Sequence, residues 1–137
     1  MDILDTDTLS YFERGQPKIV DRVLAQPLSM TTVSVISVIE QFSGRQANLR
    51  TARTTTEIAD AYLRMTNLAR VLSGFNIITF SESAILRYRF LLSLKLNIGG
   101  MDLRIAAIAL EEDATMVKRN LRDFGRVPEL KCENWTD

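Results

Sequence analysis

The chain has 137 residues, its 17 Lys and Arg balance 17 Asp and Glu, and it contains no histidine. The absence of histidine excludes Ser-His-Asp and Cys-His nucleophile pairs, HExxH zinc sites and imidazole acid–base relays. The single cysteine, Cys132, excludes an internal disulfide and a zinc site built from cysteines, so we expect a reducing, cytoplasmic location. An enzyme of this composition would have to use carboxylates, most simply through a hard metal ion held by oxygen ligands.

The chain has no apolar run of about 18 residues that could span a membrane. Its N-terminus carries Asp2, Asp5 and Asp7 and does not resemble a basic, then apolar signal peptide. We therefore expect one domain over residues 1–137 with no membrane association. The bases are 13 Arg and 4 Lys, a bias that suits bidentate contact with phosphates or carboxylates, although solvated helix faces explain such charges equally well.

In chain order, short apolar or β-branched runs alternate with stretches of helical periodicity. Strands are predicted at residues 3–4, 31–34, 76–80, 115–117 and 130–133. Helices are predicted at about 8–15, 18–25, from 35 onward, at about 54–72, at 81–94 and from about 100 to 112. This alternation predicts an α/β fold with a short, mostly parallel central sheet that helices cover on both faces.

Acidic side chains follow several of the predicted strands. Asp5 and Asp7 follow the first strand, Glu40 lies one to two turns into the helix after the second, and Asp123 follows the fourth. Asp102 lies in the first turn of the most apolar helix, which follows the Gly99-Gly100 turn. The carboxyl ends of parallel strands meet at one edge of a sheet, so these acids could converge on a metal site.

Each acid also has an ordinary structural explanation. Asp102 could interact with the helix dipole, and Asp7 could cap the first helix. Asn120 and Asp123 have the spacing of a capping box, and Glu40 could be an ordinary exposed helix residue. The pattern of residues alone leaves the structural and the functional explanations open.

Nearly the whole chain resembles the PIN-domain ribonucleases, and among them the VapC toxins of bacterial toxin–antitoxin pairs. The resemblance is carried by five segments in the family's order: LDTDTLSYFERG (4–15), VSVISVIEQFSGR (33–45), FNIITF (75–80), IGGMDLRIAAIAL (98–110) and TMVKRNLRDFGRVPEL (115–130). It implies a three-layer α/β/α fold and an acidic pocket that holds Mg²⁺ or Mn²⁺ for RNA cleavage.

The resemblance also implies the residues of this pocket. The catalytic and metal-binding acids are Asp5, Glu40, Asp102 and Asp123, with supporting positions at Asn120, Thr6 and Asp7. Candidate contacts with the RNA backbone are Arg45, Lys118, Arg119 and Arg122. Two positions depart from the family pattern: Lys118 replaces a frequent Thr or Ser, and Ser81 stands where an Asp often follows the third strand.

The expected function is that of a metal-dependent endoribonuclease toxin. Its expected partners are an RNA substrate and a small cognate antitoxin, in a homodimer or a toxin–antitoxin hetero-oligomer. The alternative is a catalytically weak or silent PIN-like module that binds RNA or a partner. In the helix at about 54–72, the stripe of Ile58, Tyr62, Met65, Ala69 and Leu72 predicts core packing, with an interface as the alternative.

Overall fold

A five-stranded, fully parallel sheet forms the centre of the structure, a computed structural model that describes residues 1–137. In chain order the strands are β1 (Asp2–Leu4), β2 (Thr32–Ser34), β3 (Asn76–Ile78), β4 (Thr115–Val117) and β5 (Lys131–Glu133). They lie in the order β3-β2-β1-β4-β5. Because β1 is central and pairs with both β2 and β4, the residues that follow these three strands lie at the same edge.

Seven α-helices connect the strands. They are α1 (Thr6–Glu13), α2 (Pro17–Leu24), α3 (Val35–Thr51), α4 (Thr55–Ser73), α5 (Glu82–Ser93), α6 (Gly100–Glu111) and α7 (Leu121–Phe124). Five of the helices begin with a side-chain cap that accepts a hydrogen bond from the backbone N–H three residues later: Asp5, Gln16, Ser34, Thr54 and Ser81. These caps satisfy backbone donors that the first turn of a helix leaves free.

The three central strands β1, β2 and β4 are buried on both faces, whereas the edge strands β3 and β5 are partly exposed. Successive side chains of a strand point to opposite sides of the sheet. Ile3 and Met116 belong to a core cluster with α5 and α6, whereas their neighbours Leu4 and Val117 belong to a second cluster with α1, α2 and α4. Two hydrophobic cores therefore flank one sheet. The predicted three-layer α/β/α architecture is confirmed.

Helix α6 is the most deeply buried helix. Residues 105–109 (Ile-Ala-Ala-Ile-Ala) are at most 1% exposed, and α6 packs against α5. The small alanine side chains allow neighbouring elements to approach closely, while Ile105 and Ile108 fill the space between them. This packing fixes the first turn of α6, and with it Asp102, relative to the sheet.

All five strands occur where the sequence predicts them, with ends that differ by one or two residues; β3, for example, ends at Ile78 instead of Phe80. The expected packing of the α4 stripe is wrong for Ile58, Tyr62 and Ala69, which are exposed. The buried residues of α4 are instead Ala61, Leu68 and Leu72. Leu72 belongs both to the predicted stripe and to a second stripe with Ala61 and Leu68. Contact with α3 buries the second stripe, which contains the small Ala61.

No helix of the chain is both long and apolar enough to cross a membrane.

The difference in burial between Ile105 of α6 and Ile58 of α4 provides a test of which residues form the core. Ile105→Ala should lower the free energy of unfolding by about 3 kcal/mol, because it removes a buried side chain and leaves a cavity. Ile58→Ala should lower it by less than about 1 kcal/mol, because Ile58 is already exposed. Denaturant unfolding followed by circular dichroism measures both, and similar losses for the two variants would contradict this packing.

Candidate active site

Asp5 is the first residue after β1, and it is completely buried. Its Oδ1 accepts a hydrogen bond of 2.8 Å from the backbone N–H of Thr8, which makes Asp5 the N-cap of α1. Its own backbone N–H donates to the carbonyl of Val117 on β4. Asp5 is therefore rigidly held, with one carboxylate oxygen used for capping and Oδ2 free for other contacts.

Lys118 occupies the equivalent position after β4 and is 6% exposed. Its Nζ lies 3.0 Å from Oδ2 of Asp5 and 3.4 Å from Oδ2 of Asp102, in the first turn of α6. The same ammonium lies 4.7 Å from the centre of the Phe124 ring, a cation–π distance. The first acid of the predicted pocket and the acid of α6 are thus brought together by a lysine between them.

The charges of this cluster affect one another. Burial by itself would lower the pKa of the Lys118 ammonium, but nearby carboxylates outweigh burial and raise that pKa. These carboxylates are Asp5, Asp102 and Asp7. Burial raises the pKa of the Asp102 carboxyl; Lys118 opposes this rise, and the charges of Asp5 and Asp7 add to it. Three acids around one ammonium leave the site negative overall.

Glu40 joins the site through the hydroxyl of Thr6, the residue after Asp5. Thr6 Oγ1 donates a hydrogen bond of 2.7 Å to Oε1 of Glu40 and lies 2.9 Å from Oγ of Ser37. A hydroxyl has one proton to donate, so Ser37 must be the donor in its bond with Thr6. This chain of hydrogen bonds orients Glu40 beside the end of β1.

The polar contacts continue along α1 and α3, away from the sheet edge. Gln41 donates to Oγ of Ser10, and Arg45 donates to Gln41 and pairs with Glu13 at 3.4 Å. Ser37, Ser10 and Gln41 were not predicted as functional residues. For Ser37 and Gln41 the signal in the sequence is a polar face of α3, formed by positions 37, 40 and 41 in an otherwise apolar segment. Ser10 lies on α1 and has no such signal.

The other predicted residues lie around α7 and are not bonded to the pair of Asp5 and Asp102. Asn120 caps α7 by accepting a hydrogen bond from the Arg122 backbone, and Asp123 contacts Asn120 and pairs with Arg126 at 3.3 Å. The side chain of Arg122 is exposed and makes no hydrogen bond or ion pair. Asn120 therefore has a structural role as a cap, while its predicted supporting role in the site stays a prediction.

Arg119 lies next to Lys118 but points to a different partner. Its Nη1 donates a hydrogen bond of 2.6 Å to the Tyr11 hydroxyl, and its guanidinium lies 5.5 Å from the centre of the same ring. Arg119 and Tyr11 are side chains that can hold a phosphate and stack on a base, respectively. Arg45, in contrast, is already neutralised by Glu13.

The fit of a divalent metal ion can be tested against these positions. Asp5, Asp102 and Glu40 supply the oxygen donors that Mg²⁺ and Mn²⁺ prefer. However, no group of three or more acidic side chains is arranged so that it could hold an ion. The ammonium of Lys118 lies between two of the acids. The donor chemistry therefore fits, but this arrangement has no open metal site while Lys118 stays in place.

No protein-family model matches the chain. Comparison with individual proteins, however, finds similar chains that are named VapC ribonucleases. Ribonuclease VapC2 of Rickettsia felis is 44% identical over 68 residues, which are 47% of this chain and 51% of that protein. Ribonuclease VapC1 of Haemophilus influenzae is 27% identical over 98% of this chain and 97% of its own length.

Comparison of the fold with solved structures also finds a VapC-type relative. The solved structure of VapBC2 from Rickettsia felis, bound to a DNA fragment from its promoter, has a TM-score of 0.77 and 28% identity, and the match covers 98% of both chains. The sequence match to VapC2 spans about half of that protein, whereas the structural match to VapBC2 covers 98% of both chains. The resemblance predicted from the sequence is thereby confirmed: in sequence and in fold, the chain is similar to the VapC-type PIN-domain ribonucleases.

Proposed function

We propose that this chain is a metal-dependent endoribonuclease that acts as the toxin of a toxin–antitoxin pair. The observation that carries the proposal is the pairing of Asp5 and Asp102 at the carboxyl edge of the sheet, beside Glu40, in a chain similar to VapC ribonucleases. Residues 1–137 would act as one domain, and the cytoplasm, where RNA is abundant, would be the place of action.

In this proposal Mg²⁺ or Mn²⁺ would be held by Asp5 and Asp102, with Glu40 or Asp123 as outer ligands. A bound divalent ion supplies a bound water of lowered pKa and neutralises charge on the phosphate. The chain's own residues orient the reacting groups: Asp5 is fixed by its capping hydrogen bond, and Thr6 holds Glu40. In this proposal Glu40 would accept a proton, and Asp7 and Asn120 would have supporting roles.

The RNA backbone would be held by arginines close to the acids. Arg122 is exposed and unpaired, and Arg119 lies on Tyr11, so both are available to phosphates at the rim of the site. Arg45 is a weaker candidate because Glu13 already neutralises it.

A second candidate function is a catalytically weak or silent module that binds RNA or a protein partner. It is favoured by one observation: the Lys118 ammonium pairs with both Asp5 and Asp102 without a metal ion. Such a protein would keep the arginines at the rim of the site for RNA binding, but it would not cleave RNA. Measurements of cleavage and of metal binding distinguish the two candidates.

The first prediction for this function concerns Asp102, the more accessible acid of the pair. Purified protein should cleave RNA with Mg²⁺ or Mn²⁺, and Asp102→Asn should lower the rate by about 100-fold, because a metal-binding carboxylate is lost. EDTA should abolish cleavage in the unaltered protein. The measurement is a time course with a fluorescent RNA and each metal ion.

The matched control is Asp21→Asn, an exposed acid on α2 outside the site, which should cleave at the unaltered rate. Cleavage that persists in EDTA and in Asp102→Asn would refute the metal mechanism. An inactive protein that still binds RNA would favour the silent module.

The second prediction concerns a protein partner. Structures similar to this chain are described as VapBC complexes and as a toxin–antitoxin complex from Klebsiella pneumoniae. We propose a cognate antitoxin of under about 100 residues, below typical domain size, in a hetero-oligomer or with a homodimer of this chain. The site suits such a partner, because Asp7 and Asp102 are accessible acids that an arginine of the antitoxin can contact.

This proposal is tested by expressing the chain alone and together with the product of the neighbouring gene. Expression alone should stop growth, and co-expression should restore it and yield a complex that co-purifies. Asp102→Asn should remove the toxicity when expressed alone, and Asp21→Asn should not. Harmless expression at high level, with no co-purifying product, would refute the toxin role without affecting the fold.

A further inference from the structure

We infer that Lys118 is a built-in cation of this site: its ammonium takes the place between Asp5 and Asp102 that a divalent ion would bridge, and metal binding must displace it. The inference rests on the proposed function, because it concerns the same acids. It goes further by naming the residue that sets the metal affinity of this chain.

The first argument is the geometry of the three groups. Lys118 Nζ lies 3.0 Å and 3.4 Å from one oxygen of Asp5 and one of Asp102, so it bridges the two carboxylates as a metal ion would. Divalent ions bind such oxygens at about 2.0–2.6 Å. A second cation between the same oxygens would come within a few ångströms of the ammonium, where repulsion is strong in a buried site. The ammonium and the metal ion therefore exclude each other.

The second argument is that Lys118 is anchored at its backbone, whereas its side chain is long and flexible. Its backbone N–H donates to the carbonyl of Glu133 at 2.8 Å, which fixes the main chain at the end of β4. The side chain beyond it has four rotatable bonds, and the charge of the exposed Asp7 acts on its ammonium. On this inference a displaced ammonium moves toward the charge of Asp7 by rotation of the side chain, while the backbone stays in place.

The third argument is that the buried carboxylate of Asp5 needs a positive charge beside it, whether or not a metal ion is bound. Asp5 is completely buried, and its only side-chain partners are the backbone of Thr8 and the ammonium of Lys118. A buried carboxylate without a counter-ion is strongly unfavourable. Lys118 supplies this counter-ion when no metal ion is bound, so the metal-free protein is stabilised and metal binding is weakened by the same contact.

The test compares three full-length variants for binding of Mn²⁺ alone, by calorimetry and by electron paramagnetic resonance of free Mn²⁺. Lys118→Met removes the charge and keeps the length of the side chain, and it should bind Mn²⁺ at least about tenfold more tightly than the unaltered chain. Lys118→Arg keeps the charge and should show no gain. Lys18→Met, an exposed lysine on α2, should bind as the unaltered chain does.

Thermal unfolding provides a readout that does not depend on activity. Without metal, Lys118→Met should unfold at a lower temperature than the unaltered chain, because Asp5 loses its counter-ion. With saturating Mn²⁺ this variant should recover more stability than the unaltered chain or Lys18→Met. If Lys118→Met unfolded at the same temperature with and without Mn²⁺, the inference would be contradicted.

A measurement on the unaltered chain covers the case in which Lys118→Met does not fold. With lysine labelled by ¹⁵N at Nζ, the buried ammonium should give a protected resonance that is absent from Lys118→Arg, and Mg²⁺ should shift or broaden it. A resonance that is unchanged while Mg²⁺ binds would overturn the inference.

The inference and the proposed function can fail separately. Equal Mn²⁺ affinity in Lys118→Met and the unaltered chain, with RNA cleavage intact, would overturn the role of Lys118 alone. The absence of Mn²⁺ binding in every variant, together with no cleavage, would overturn both.

Discussion

The arrangement of the site depends on the buried ion pair between Asp5 and Lys118. Burial of two charges is unfavourable by itself, and it becomes tolerable only when geometry and additional hydrogen bonds compensate. Asp5 has both: one oxygen caps α1 and the other accepts from the ammonium. The same residue therefore starts a helix, joins two strands and provides a candidate ligand, so a change at Asp5 affects structure and chemistry together.

This pair follows directly from the register of the sheet. Leu4 is paired with Val117 across β1 and β4, so the next residue on each strand, Asp5 and Lys118, must lie side by side. The contact joins residues 113 positions apart in the chain. Sequence reasoning could predict both strands from their apolar residues and could place acids at their ends. It could not predict the contact, because no local pattern specifies which strands are neighbours or in which register.

The same distinction between local and non-local information explains the other results. The strands and helices are encoded by the periodicity of apolar residues, and these were predictable. The cap of α1 was not: the sequence suggested Asp7, whereas Asp5 caps this helix and Asp7 lies inside its first turn. The buried face of α4 was not, because two apolar stripes were available and the packing against α3 selects one of them. Similarly, the sequence places Asp123 after β4, but its contacts with Asn120 and Arg126 depend on how the short helix α7 is turned.

A cluster of acids at a sheet edge creates a demand for positive charge, and three sources can meet it. A divalent ion, the ammonium of Lys118 and a guanidinium from a partner all favour the same carboxylate oxygens. Because each excludes the others from a given pair of oxygens, their effects on the site are coupled without any movement of the fold. In a chain with Thr or Ser at position 118, only the metal ion and the partner would compete. The lysine adds a third competitor within the chain, present at fixed local concentration, so it shifts the balance against the metal ion under all conditions.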